Sequence, residues 1–171
     1  GEICMEDSIS SILILVLLII MSAYFSATET AYSSLNKIKL KSIANKGNKK
    51  AKLALELSEK YDSVISTILI GNNIVNIATA SLATVLFTKL LGSSGVTVST
   101  IVMTILILIF GEISPKSIAK DIPESFAIVS APLLNAFCII LKPVNNLFCL
   151  WKKILSKVFK IQKHSGITED E

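Results

Sequence analysis

Three stretches of this chain carry no charge at all: between Asp7 and Glu29, between Asp62 and Lys89, and between Lys89 and Glu112. Each is longer than the roughly 20 residues a helix needs to cross a bilayer core. A soluble helical bundle with a very apolar core is the alternative, but such a bundle does not need uncharged runs of this length. The expected fold is therefore all-α integral membrane, with spans from about Ser8 to Ser34, Tyr61 to Thr88 and Val96 to Pro115. Gly92-Ser93-Ser94-Gly95 supplies a short turn between the second and third. The first span does not read as a secretory signal, because Glu2, Glu6 and Asp7 precede it where Lys or Arg is needed, and it is too long.

Lysines orient the spans. Seven fall between Lys37 and Lys52, directly after the first span, and lysine-rich loops stay cytoplasmic. The expected topology is a multi-pass protein of the plasma membrane, N-terminus outside, C-terminus cytoplasmic. Phe126 to Leu141 is also uncharged, but it contains Pro132 and Asn135, and crossing would carry Lys152, Lys153, Lys157, Lys160 and Lys163 to the wrong side. It is read as a helix in the inner interface or packed on the bundle. Trp151, Ile154, Leu155 and Val158 recur at helical spacing with Lys153, Lys157 and Lys160 mostly elsewhere, the pattern of a basic amphipathic helix on an anionic leaflet. An ordinary solvated helix is the plainer reading of that segment. Residues 37–60 fit the amphipathic pattern less well, because lysines there are nearly continuous and Gly47 interrupts them. Residues 1–160 thus form a transmembrane domain with a juxtamembrane belt, and residues 161–171 the start of a linker.

Charge and cysteine content exclude several classes. All 17 basic residues are lysine; Arg is the better bidentate phosphate reader, so a net charge of +4 points to membrane lipid and away from nucleic acid. Cys4, Cys138 and Cys149 form no CxxC or disulfide framework, and the last two are expected to be buried, inert thiols. No nucleophile–base set and no phosphate-cradling glycine loop suggests an enzyme.

Polar residues inside hydrocarbon are expensive and by default mark function. The first span carries Ser22 and Ser26, four apart on one helix face; the second carries Asn72 and Asn76, again four apart; the third ends in Gly111-Glu112-Ile113-Ser114-Pro115-Lys116. Counted from the lysine-rich ends, Ser26, Asn72 and Glu112 fall within roughly 15 Å of one level at 1.5 Å per residue. Hydroxyls, amide oxygens and one carboxylate are hard donors suited to Na⁺, Mg²⁺ or Ca²⁺. Gly111 and Pro115 bracket Glu112, so an irregular helix with freed carbonyls is expected there. The bland readings are that Ser and Asn only glue helices together, and that Glu112 pairs with Lys116 to anchor a helix end.

Phe25-Ser26-Ala27-Thr28-Glu29-Thr30-Ala31, Gly71-Asn72-Asn73-Ile74-Val75-Asn76 and Gly111-Glu112-Ile113-Ser114-Pro115-Lys116 resemble, in order and one per span, the signatures of the transmembrane domain shared by CorC and cyclin M (CNNM) proteins. The similarity covers about residues 10 to 160. It implies a homodimeric, sodium-linked magnesium exporter with a juxtamembrane helical belt and cytoplasmic CBS domains, whose lead-in resembles residues 166–171. It also implies a largely dehydrated Mg²⁺ held by Ser22, Ser26, Asn72, Asn76, Gly111 and Glu112, with Na⁺ able to use the same oxygens. Two rivals stay open: a magnesium-sensing membrane scaffold that regulates another transporter, and a structural anchor for soluble domains.

Overall fold

The computed structural model describes residues 2–147, with side chains from residue 9 onward. The expected amphipathic helix at 151–160, Cys149 and the linker from residue 161 lie outside the described residues. The described residues contain no strand. Their elements are α1 (Glu2–Ser34), α2 (Lys37–Asn45), α3 (Lys49–Glu59), α4 (Tyr61–Leu91), a 3-10 turn (Gly92–Ser94), α5 (Gly95–Leu106), a π-helical segment (Ile107–Ile113), α6 (Ser114–Asp121) and α7 (Pro123–Ile140). At about 1.5 Å per residue the 33 residues of α1 reach about 50 Å, well past a 30 Å hydrocarbon core.

Three helical stretches are long and apolar enough to span: Ile9–Ser34, the run Tyr61–Asp121, and Pro123–Ile140. The middle run doubles back at the Gly92 turn, with α4 packed along α5, so it makes two passes. The expected turn and third span are both present. α1 packs against α4, the π segment and α6.

α7 has sufficient length, at 18 residues and mean hydropathy 1.5, but it does not cross. Glu124 in its first turn accepts hydrogen bonds from the Asn36 backbone N–H at 3.1 Å and the Lys39 ammonium at 3.0 Å, just beyond the end of α1. Beyond its other end, Asn145 donates to the Ser63 hydroxyl at 2.8 Å, in the first turn of α4. The end of α1 and the start of α4 are joined by α2 and α3, so both ends of α7 return to one face of the bundle. In between, α7 dips along α1: the Tyr24 hydroxyl donates to the Ser130 carbonyl at 2.9 Å, and the Phe25 and Phe137 rings lie 4.9 Å apart. Cys138, expected to be buried, is half-buried against this cluster.

Residues 37–60 fit the amphipathic pattern more closely than their lysines suggest. They form two helices, capped by Asn36 onto Ile38 and Lys39 and by Asn48 onto Ala51. Leu40, Ala51, Ala54 and Leu57 are buried beneath the lysines. Small apolar residues three or four apart make a sufficient stripe even where lysines crowd the rest.

The Glu124 contacts tie α2, α7 and the end of α1 together. The Lys39 ammonium, followed by the Asn36 N–H, outweighs burial and holds the Glu124 carboxyl below its ordinary value of 4.5. A depressed carboxyl stabilises the fold above its unfolded pKa, and that contribution is lost as pH falls through the folded value. Because the Lys39 side chain is 64% exposed, the contribution is discounted to about 1 kcal/mol. Glu124→Gln should therefore lower the melting temperature in detergent at pH 7, and the gap between variant and wild type should close as pH drops below 4.5.

Candidate cation site

Three spans meet where α4 and the π segment present glycine to α1. A Cβ on Gly111 would lie 3.0 Å from the Ser22 Oγ, and a Cβ on Gly71 would lie 2.5 Å from the Phe25 ring. Glycine at these two positions lets the π segment and α4 approach α1 more closely than any other residue would permit, so Ser22 is reached by both neighbours.

At that point the Ser22 Oγ sits 2.8 Å from the Asn76 Oδ1 and 3.2 Å from the Asn72 Oδ1. Ser22 is fully buried and the two asparagines are half-buried. A hydroxyl carries one hydrogen, so it satisfies one amide oxygen at a time. Three oxygens with one proton among them form an electron-rich cluster.

Other hydroxyls in the spans behave differently. Those of Thr28, Thr67 and Thr79 donate to the carbonyl four residues back, at 2.6, 2.9 and 2.7 Å, the usual way a helix absorbs such a group. Ser22 instead reaches across to α4. The Ser26 Oγ, fully buried one turn along α1, has no hydrogen-bond partner among the described residues. An unmet buried hydroxyl costs about 1–3 kcal/mol, which a ligand would offset.

Glu112 lies in the π-helical segment, where the Ser114 N–H reaches the Ile109 carbonyl five residues back. The expected irregularity is there. Pro115 accounts for it: its ring excludes the carbonyl four residues earlier and it has no N–H to give, so a carbonyl at Phe110 or Gly111 loses its usual partner. Lys116 pairs with Glu29 at the end of α1, at 3.3 Å, and the half-buried Glu112 has no hydrogen-bond or ion-pair partner among the described residues.

Of the residues singled out in the sequence, the structure brings Ser22, Asn72, Asn76 and Gly111 together. Ser26 and Glu112 are adjacent to them along their helices but not in bonding contact. Sequence reasoning centred the cluster on Ser26, whereas the contacts centre on Ser22. The signal that could have found it is the pair Ser22 and Gly111, the small residues that let α1 and the third span touch. No group of three or more His, Cys, Asp or Glu residues occurs among the described residues. The donor set is neutral oxygen with one nearby carboxylate, suited to a hard cation.

The sequence matches the model of the family described as the cyclin M transmembrane N-terminal domain over residues 13–171. The inner membrane protein YfjD of Escherichia coli (strain K12) is 44% identical over 114 residues, covering 67% of this chain and 27% of that protein. A UPF0053 protein of Haemophilus influenzae is 42% identical over 124 residues, covering 72% of this chain and 30% of its own length. The polyamine export protein of the same organism is 31% identical over 138 residues, covering 73% and 32%. The chain spans about a third or less of the length of these relatives.

The unpartnered Ser26 hydroxyl makes a test that needs no ligand. In buffer stripped of divalent cations, Ser26→Ala should leave the melting temperature unchanged or raise it by the equivalent of about 1 kcal/mol. A drop would mean that the hydroxyl is used in packing.

Proposed function

The chain belongs to the cyclin M transmembrane N-terminal domain family, and from this we propose that it binds a small hard cation, Mg²⁺, between its three spans and passes it across the membrane in exchange for Na⁺. The observation that carries the reading is the convergence of the Ser22, Asn72 and Asn76 oxygens against Gly111. Neighbouring ligands around a six-coordinate Mg²⁺ with bonds of 2.0–2.1 Å lie about 2.9 Å apart. The 2.8 and 3.2 Å spacings fit that edge. Glu112 supplies the one negative charge, and the Ser26 hydroxyl and a carbonyl freed by Pro115 extend the oxygen set.

A relative named a polyamine export protein raises an organic polycation as a second reading. Spaced ammonium groups call for several carboxylates along a groove. The compact oxygens and single carboxylate here favour one small ion.

The lysine-bearing end, with α2, α3 and α7, is read as cytoplasmic. A second copy of the chain is expected to cover the exposed side of α4 and α5, where Asn73, Ser81, Thr100 and Thr104 would otherwise face hydrocarbon. CBS domains of a longer protein would follow the last residues.

Calorimetry of the purified protein tests the site. Mg²⁺ binding should weaken at least tenfold, about 1.4 kcal/mol, in Glu112→Ala, and should weaken in wild type as Na⁺ is raised. Gly111→Ala, which pushes on the Ser22 hydroxyl, should weaken it as well. Spermidine should compete poorly. Unchanged binding in Glu112→Ala would reduce the polar residues to helix packing, and binding without Mg²⁺ flux in liposomes would make the protein a sensor or scaffold.

A further inference from the structure

We propose that Glu29 is a positioning residue of the cation site: it holds the Lys116 ammonium and thereby keeps it from pairing with Glu112. The inference rests on the transport reading above and adds to it a residue that acts on the ion only through another.

Glu29 shares a helix face with the site. Ser22, Ser26 and Glu29 follow one another four and three residues apart, the spacing that stacks side chains along one side of a helix. At 1.5 Å per residue Glu29 lies about 4.5 Å along the axis from Ser26 and about 10 Å from Ser22, toward the lysine-bearing end. α1 packs against α6, and the Lys116 Nζ meets the Glu29 Oε2 at 3.3 Å.

Lys116 has a second acidic residue close in sequence. Glu112 precedes it by four residues, and Glu before Lys at that spacing is the order that favours pairing along a helix. The ammonium is nevertheless on Glu29, and the half-buried Glu112 has no hydrogen-bond or ion-pair partner among the described residues. Charges partly withdrawn from water feel one another more strongly than charges on an open surface. Which carboxylate holds Lys116 therefore decides what an arriving ion meets. With Lys116 on Glu29, the ion meets neutral oxygens and a free carboxylate. With Lys116 on Glu112, it meets neutral oxygens and a carboxylate already neutralised. A simple clamp between α1 and α6 would make the two partners equivalent, because loss of either breaks the same contact. The positioning role makes them unequal, because only loss of Glu29 releases a competitor for Glu112.

A double-mutant cycle read by Mg²⁺ calorimetry on the purified protein tests this. Glu29→Gln should weaken Mg²⁺ binding at least about tenfold, while Lys116→Gln should leave it within about threefold of wild type or tighten it. In the Lys116→Gln background, Glu29→Gln should cost less than about threefold, because no ammonium remains to be released. Equal losses in the two single variants would make the pair a clamp and overturn the proposal. The same loss from Glu29→Gln with and without Lys116 would mean that Glu29 attracts the ion directly, and would overturn it too, as would no loss at all. If Glu29→Gln fails to fold, Glu29→Asp, which draws the carboxylate back from Lys116, replaces it in the cycle with a smaller loss that again vanishes in Lys116→Gln. Wild type that binds no Mg²⁺ overturns the transport reading and the proposal together. Binding in wild type without coupling between the two substitutions overturns the proposal alone, and coupling without Mg²⁺ flux in liposomes overturns transport alone.

Discussion

Everything in this bundle depends on how closely α1 can approach its two neighbours. Between lipid-facing helices there is no hydrophobic gain from association, because the tails are as apolar as leucine, so contact must come from tight packing and hydrogen bonds. Gly71 under the Phe25 ring and Gly111 under Ser22 give that contact. Ser22 can reach two asparagines on α4 only because no side chain on the third span stands in the way. The same geometry explains why Phe25 is buried and stacked against Phe137 of α7. The juxtamembrane helices are thereby fixed to the span that carries the site. Displacement of α7 would be felt on α1 within two turns of Ser26.

The π-helical segment follows from a conflict in the sequence. Pro115 cannot donate, and its ring cannot sit over the carbonyl four residues earlier, yet apolar residues on both sides favour a continuous helix. An extra residue in the turn resolves the conflict and leaves a carbonyl available next to Gly111. Glu112 and Lys116, four apart, are spaced to pair along a helix, but Lys116 pairs with Glu29 instead.

Much of this architecture is legible in the residue order. The three uncharged runs give the passes, the Gly92 turn gives the hairpin, and Pro132 with the downstream lysines argues that α7 stays on one side, where Glu124 and Asn145 anchor it. The order of oxygen-bearing residues gives the composition of the site. Its centre is not legible. Depth counting has an error of about a turn in each helix, which is enough to put Ser26 where Ser22 belongs, and only packing against Gly111 distinguishes them. The two helices at 37–59 were obscured for a different reason: their buried faces consist mostly of alanine, a residue that signals little hydrophobicity by itself and fills a tight interface when stacked three or four apart.

The two ionic groups near the site are best understood together. On the transport reading, a divalent cation facing one carboxylate leaves a net charge of +1 in a low-dielectric region, so the position of any further charge matters strongly. Lys116 is the nearest basic residue in sequence to Glu112, and Glu29 holds it at 3.3 Å. Were Lys116 to pair with Glu112 instead, the carboxylate would be neutralised and the ion would meet neutral oxygens alone. Were Glu29 absent, an uncompensated ammonium would remain one helical turn from the cation. The Glu29–Lys116 pair is half-exposed and contributes little to stability by itself. On the transport reading its consequence is electrostatic: with Lys116 held by Glu29, the Glu112 carboxylate keeps its charge for the ion.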